Sequence, residues 1–65
     1  MYHYYFIENS TGEEFIVGAN NLLEAKGIAE DVAAEIAANY GEQPDLSYEY
    51  EMTDEEAEMS GLDEY

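Results

Sequence analysis

The sequence predicts an α+β fold, a ββαβ two-layer sandwich in which one helix covers one face of a three-stranded antiparallel sheet. Two observations predict it. An apolar stripe of helical period runs through residues 21–40, and three shorter stretches have strand-like composition or alternation, at residues 1–8, 13–18 and 46–52. The sixty-five residues are enough for one domain of this kind.

The predicted helix has a periodic apolar face and a signal at each end. Asn21, with Glu24 three places later, predicts an N-cap, and Gly41 followed by Pro44 predicts the end. Gly27 is the one weak helix former inside it. The expected apolar face comprises Leu22, Ala25, Ala29, Val32, Ala33, Ile36 and Tyr40, with Ile28 at its edge.

The first two strands are predicted to form a hairpin, because the turn-forming residues 9–12 join them. A helix that returns along the sheet then places the third strand beside the first, giving the sheet order 2-1-3. The first strand has apolar residues on both faces, which indicates a central position in the sheet. For the same reason, the pattern does not determine which of its faces points to the core.

The third strand alternates most regularly. The period of two predicts that Ser47, Glu49 and Glu51 point to solvent. Its other face, expected to lie under the helix, consists of Leu46, Tyr48, Tyr50 and Met52. Tyr40, Tyr48 and Tyr50 are accordingly expected in the core.

The second sheet face is expected to be open. At least one of Tyr2, Tyr4 and Tyr5 should be exposed there, beside Glu49 and Glu51. Because exposed aromatic residues are enriched at interfaces, Tyr4 is a candidate contact residue for a partner protein.

Residues 53–65 differ from the single domain predicted for residues 1–52, because six of these thirteen residues are acidic. Thr53 with Glu56 predicts a capping box, and Gly61 predicts the end of a short helix. The segment is expected to be an acidic helical turn that frays into a mobile tail.

Charge is the outstanding property of the chain. Seventeen acids and one lysine, Lys26, give a formal net charge of −16. Such a surface cannot neutralise phosphates, so direct binding to nucleic acid or to an anionic membrane is not expected. Such a charge would attract a basic protein surface or a cation, and a basic protein is the expected partner. On the helix only Lys26 can form an ion pair, with Glu30 four residues later.

Enzymatic function is not expected. His3 is the only histidine, there is no cysteine, and no serine lies in a nucleophile motif. The acids lack the spacing of a calcium loop, so neither a metal site nor a cofactor is predicted. Without a signal peptide or an apolar stretch long enough to span a bilayer, the protein is expected in the cytoplasm.

The acids occur in every predicted element. Glu49 and Glu51 are expected to stand roughly 6.8 Å apart on one strand face, from a rise of about 3.4 Å per residue. A nucleic-acid strand presents its phosphates on a similar scale, at about 3.4 Å of helix axis per phosphate.

In size, acidity and mixed α/β character the chain resembles the small acidic inhibitors that phages encode against nucleic-acid-binding host defences, such as anti-CRISPR proteins. The resemblance implies a DNA mimic in the host cytoplasm that blocks DNA binding by a CRISPR effector nuclease. The expected partner-binding residues are Glu49, Glu51, Asp54, Glu55, Glu56, Glu58 and Tyr4. Two alternatives remain open: a non-inhibitory acidic adaptor that binds a basic partner, and a homodimeric structural protein.

Overall fold

The three strands form one antiparallel sheet, with two helices packed on it. In the computed structural model, which describes residues 1–65, the elements are β1 (Tyr2–Glu8), β2 (Glu13–Ala19), α1 (Leu22–Asn39), β3 (Leu46–Met52) and α2 (Asp54–Ser60). The sheet order is β2-β1-β3. The predicted α+β class, the ββαβ order and the central position of the first strand are confirmed.

The β1–β2 hairpin runs in register from the pair Tyr2 and Ala19 to the pair Glu8 and Glu13. Gly12 closes the turn with a φ of 79°, a left-handed conformation that favours glycine. Its N–H donates to the carbonyl of Glu8 at 2.8 Å.

Both ends of α1 are capped as predicted. The side chain of Asn21 accepts a hydrogen bond from the N–H of Glu24 at 2.8 Å. At the other end Gly41 has a φ of 70°, and the N–H of Glu42 donates to the carbonyl of Ala37 at 2.9 Å. This arrangement satisfies carbonyl groups that the last helical turn leaves free.

A stripe of small residues forms the face of α1 that contacts the sheet. It consists of Ala25, Ala29, Ala33 and Ala37, all buried at a spacing of four. Leu22, Ile28, Val32 and Ile36 flank the stripe and are half-buried. The prediction that Tyr40 belongs to the apolar face and the core was wrong, because Tyr40 is the C-cap residue and is 63% exposed.

The core lies between α1 and the face of β1 that carries Tyr4 and Phe6. Phe6 is fully buried. Its ring stacks on that of Phe15 with the ring centroids 5.8 Å apart, and the ring centroid of Tyr48 lies 5.4 Å away. Burying a phenylalanine side chain stabilises a fold by about 1.5–3 kcal/mol, so Phe6 is a main contributor to this small core.

A bulge interrupts the pairing of β3 with β1. Tyr5 pairs with Tyr50, whereas the next residue of β1, Phe6, pairs with Tyr48. Glu49 therefore has no partner on β1, and β3 contains one extra residue at this point.

The bulge reverses the alternation of side chains along β3. Paired residues on antiparallel strands share a face. Tyr48 therefore lies on the α1 side with Phe6, while Tyr50 and Met52 lie on the opposite side with Tyr5 and His3. The prediction that all of the alternating residues face α1 was right for Leu46 and Tyr48 and wrong for Tyr50 and Met52.

The second sheet face is not fully open, because α2 covers the part of it around Met52. Thr53 and Glu56 form the predicted capping box, with side chain to backbone distances of 3.1 and 3.0 Å. The helix that follows, α2, ends at Gly61 with a φ of 71°. It packs against β1 and β3, and Met52 beside it is only 7% exposed.

The last residues form a short edge segment, residues 63–65, that pairs with β2. The N–H of Ile16 donates to the carbonyl of Asp63 at 2.9 Å, and the N–H of Gly18 to that of Tyr65 at 2.8 Å. The N–H of Tyr65 donates back to the carbonyl of Ile16 at 2.8 Å. The expected frayed tail is therefore wrong, because β2 offers an unpaired sheet edge to these residues.

Candidate protein-binding surface

The six predicted carboxylates lie on two consecutive elements and are all exposed. Thr53 alone separates β3 from α2. The strand carries Glu49 and Glu51, and the helix carries Asp54, Glu55, Glu56 and Glu58. Lys26, the one lysine or arginine of the chain, lies on α1. We call these six residues, together with the exposed Tyr50 and Met59, the acidic face.

The two strand acids do not form the even row that the alternation predicted. Glu51 pairs with Tyr4 on the α1 side of the sheet. Burial first, and then the charge of Glu51, raise the pKa of the Tyr4 phenol. Glu49 lies in the bulge, and its charge contributes to the raised pKa of Tyr5 on the second face. The bulge thus directs the two carboxylates to different sides of the sheet, so the acidic face continues around the outer edge of β3.

Tyr4 does not belong to the acidic face. Its side chain is 6% exposed and packs in the core, with ring centroids 6.2 Å from Tyr48 and 6.3 Å from Tyr2. The prediction of Tyr4 as a contact residue was therefore wrong, because its strand face is the one that α1 covers. Tyr50, which was expected in the core, is 49% exposed and takes the place of Tyr4.

His3 links both ends of the segment formed by residues 53–65. Its Nε2 lies 2.6 Å from Oδ1 of Asp54, at the start of α2, and its Nδ1 lies 2.5 Å from Oε2 of Glu64. The hydrogen bond to Glu64 raises the pKa of His3; burial opposes this shift, and Asp54 reinforces it. Protonated His3 donates from both ring nitrogens, so it holds Asp54 in place.

Tyr5 joins the hairpin to β3 on the second face. Its hydroxyl donates a hydrogen bond to Glu14, and its ring meets that of Tyr50 edge-on at 5.2 Å. The hydrogen bond to Glu14, followed by burial, raises the pKa of Tyr5 to about 12. This contact orients Tyr50 at the border of the acidic face.

Glu8 is the one fully buried acid, and no pattern in the sequence indicates its role. Its carboxylate accepts hydrogen bonds from the Ser10 hydroxyl at 2.6 Å, the Asp45 N–H at 2.7 Å and the Thr11 N–H at 3.0 Å. Burial would raise the pKa of Glu8, but these donors outweigh it and lower the pKa to about 2. Glu8 therefore ties the hairpin turn to the loop before β3.

A groove of about 380 Å³ lies between α2 and the end of β3. Apolar side chains and carboxylates both contribute to it. We call it the α2 groove; its lining consists of Tyr50, Met52, Thr53, Glu55, Glu56, Met59 and Ser60.

A second groove, of about 260 Å³, lies on the other side of β3, beneath α1. Lys26 lines it but forms no ion pair, since both ion pairs in the structure belong to His3. The pair of Lys26 with Glu30 that their spacing allows is therefore not formed. We call it the α1 groove; its lining consists of Phe6, Lys26, Glu30, Leu46 and Tyr48.

The sequence matches no family model and no curated protein, and no solved structure matches the chain. Neither helix has the length and apolar character needed to cross a membrane. No three histidine, aspartate or glutamate side chains are grouped closely enough to hold a metal ion.

The acidic face suits the recognition of cationic side chains. Its carboxylates can accept charge-assisted hydrogen bonds from arginine or lysine. Tyr50 and Met59, which are 49% and 79% exposed, add apolar contact area among the charges. Aromatic and methionine side chains are enriched in protein interfaces, which makes this combination typical of a protein-binding surface.

Proposed function

We propose that the protein is an inhibitor that binds the basic nucleic-acid-binding surface of a host defence protein. The target class is a CRISPR effector nuclease, and the site of action is the cytoplasm of a phage-infected host cell. Carboxylates of the acidic face take the positions of phosphates, and DNA binding is blocked by mimicry. The observation that supports the proposal is a folded frame on which six exposed carboxylates occupy β3 and α2, in a chain with a net charge of −16.

The frame matters because a mimic has to hold its charges in place. The capping box of Thr53 and Glu56 fixes the start of α2, and His3 fixes Asp54 beside it. Glu56 and Asp54 are thereby ordered before a partner arrives. Binding then costs less side-chain entropy than it would for a flexible acidic tail.

Long-range attraction should dominate the encounter. A charge of −16 attracts a cationic groove over distances beyond direct contact, and such steering raises association rates by about 10 to 10³-fold at low salt. Close contacts between these carboxylates and arginine side chains then set the orientation of the protein on its partner. The apolar contacts of Tyr50 and Met59 are expected to persist at a salt concentration that screens the charges.

The test is DNA binding and cleavage by a CRISPR effector nuclease with and without the protein. A triple charge reversal, Glu49→Lys, Glu51→Lys and Glu55→Lys, should abolish inhibition. The matched control reverses three exposed acids of α1, Glu30→Lys, Asp31→Lys and Glu35→Lys, and changes the net charge equally. It should retain most of the inhibition, and circular dichroism should show that both variants fold.

Equal loss of inhibition in the two triple variants would contradict the assignment of the acidic face, since only total charge would then matter. Binding to the nuclease without any effect on its DNA binding would instead support the adaptor function and contradict inhibition. No interaction with any basic nucleic-acid-binding protein would contradict the proposal as a whole.

A further inference from the structure

The two edges of the sheet differ in their backbone pairing. The outer edge of β2 is occupied by the edge segment, which exchanges three backbone hydrogen bonds with Ile16 and Gly18. The outer edge of β3 has no backbone partner, because β3 pairs only with β1. An unpaired edge strand is a template on which another extended chain can add.

Residues of β3 line both grooves, which lie on opposite faces of the sheet. The first half of β3 lines the α1 groove through Leu46 and Tyr48. After the bulge, its second half lines the α2 groove through Tyr50 and Met52. Because successive side chains of a strand point to opposite faces, a strand added to β3 would direct alternate side chains towards the two grooves.

The chemistry of the two grooves differs. The α2 groove combines Met52 and Met59 with the carboxylates of Glu55 and Glu56 and contains no cation. It suits a lysine or arginine, whose aliphatic stem packs on apolar surface while its charged end meets a carboxylate.

The α1 groove suits an apolar side chain. Leu46 and Tyr48, both half-buried, provide apolar surface there, above the buried ring of Phe6. Lys26 and Glu30 line the same groove, and their opposite charges offset each other, so this groove lacks the uncompensated carboxylates that the α2 groove offers to a cation.

Charge decides against a second copy of this chain as the added strand. Two copies paired along this edge would bring Glu49 and Glu51 of one copy close to those of the other. Each copy carries a net charge of −16. Like charges placed opposite one another across strands are destabilising, whereas a cationic strand would be attracted. The acids on β3 thus both protect the edge against self-association and favour a basic partner.

We propose that the free edge of β3, with its two grooves, binds an extended segment of a partner protein in which basic and apolar residues alternate. The basic side chains enter the α2 groove and the apolar ones enter the α1 groove. The inference rests on the proposed function for the positive charge of the partner, and it adds backbone pairing as the mode of recognition.

The probe is a blocked peptide of alternating arginine and valine with the seven-residue length of β3. Its control is a peptide of identical composition in which the arginines and valines form two blocks. A third peptide keeps the alternation but carries N-methyl groups on alternate backbone amides, which removes hydrogen-bond donors without changing the charge. Titration calorimetry should show the alternating peptide binding about tenfold tighter than either control.

Two protein variants locate the site. Met59→Lys places a charge in the α2 groove, and Leu23→Lys places the same charge at another exposed apolar position, on α1. Met59→Lys should remove the preference for the alternating peptide, and Leu23→Lys should leave it intact. Hydrogen exchange should show the backbone amides of β3 protected by the alternating peptide alone.

Equal affinities for the three peptides would overturn the edge proposal while leaving the charge-based inhibitor function untouched, since that function is tested by nuclease inhibition. A homodimer in light scattering that protects the amides of β3 would assign the edge to a second copy and would also overturn the proposal. Tighter binding of the alternating peptide, lost in Met59→Lys, would support it.

Discussion

Nδ1 of His3 lies 2.5 Å from Oε2 of Glu64. A side chain of the central strand β1 thus holds the edge segment, residues 63–65, which pairs with the outer edge of β2. The same ring contacts Asp54 at 2.6 Å. One histidine thereby fastens both ends of the layer formed by α2 and the edge segment. The acidic face depends on this layer, because four of its six carboxylates belong to α2.

The His3 contacts predict a stability that falls as pH rises. A raised folded-state pKa means that the contribution of His3 is fully present below its ordinary value of 6.5 and is lost as pH rises through the folded value. Urea midpoints measured from pH 6.5 upward should decline in the wild type. His3→Gln should be less stable at the lower end and nearly flat with pH.

Glu64→Gln should reproduce part of this behaviour, because it removes the charge on one side of the ring. Asp63→Asn is the matched control: it removes a charge from the neighbouring residue, which takes part in the sheet through its backbone. If Asp63→Asn and Glu64→Gln had the same pH profile, total charge and not the ion pair would be responsible.

Glu8 predicts the opposite pH dependence. Its folded-state pKa of about 2 lies below the ordinary value of 4.5, so its contribution is present above pH 4.5 and is lost as pH falls through about 2. The difference in unfolding free energy between wild type and Glu8→Gln isolates the contribution of Glu8 and should shrink over this range.

Glu13→Gln is the control for Glu8, since Glu13 pairs with Glu8 across the hairpin but is exposed. Glu13→Gln should leave the dependence of the unfolding free energy on pH below 4.5 unchanged. A constant difference between wild type and Glu8→Gln at all pH values would contradict the charged state assigned to Glu8.

Gly27→Ala should stabilise the protein. Gly27 lies inside α1, and no atom would lie within 4 Å of an added Cβ. Replacing glycine with alanine in an exposed helix interior gains roughly 0.5–1 kcal/mol, which corresponds to a rise in Tm of about 2–8 °C for a domain of this size. Gly41→Ala should have the opposite effect, because its φ of 70° strains a residue with a Cβ. Thermal unfolding by circular dichroism measures both, and a lower Tm for Gly27→Ala would contradict the prediction.

Phe6→Ala should remove a large part of the stability of the protein. The loss of a buried phenylalanine costs about 3–5 kcal/mol, and a chain of this length has a total stability of only about 3–10 kcal/mol. Tyr2→Ala, at a position 51% exposed, should cost about 0.5 kcal/mol or less. Phe6→Leu should fold with reduced stability, which allows the cost to be measured in urea. Similar urea midpoints for Phe6→Leu and Tyr2→Ala would contradict the central role of Phe6.

The elements were predictable from the sequence because their signals are local. The signals at Asn21 and Gly41 place each end of α1 within one residue of where it lies in the structure. The capping box of Thr53 and Glu56 likewise predicts the start of α2. The sheet order followed from connection rules alone. These features depend on residues a few positions apart, so pattern is sufficient to find them.

The candidate site was less predictable because it depends on pairing between distant segments. The alternation around Glu49 is unbroken in sequence, and only the register against β1 reveals the bulge that turns Tyr50 outward. Whether Tyr4 was buried depended on which face of β1 meets α1. The contacts of His3 and Glu8 reach residues up to 61 positions away, for which neither residue carries a local signal.

The central position of β1 has a consequence for synthesis on the ribosome. β1 is translated before every other element, yet one of its two neighbours in the sheet is β3. A nascent chain that has reached only the end of α1 holds the hairpin with one side of β1 still unpaired. Folding is therefore completed only when residues 46–65 have emerged, and until then β1 is the segment that a chaperone or another nascent chain can bind.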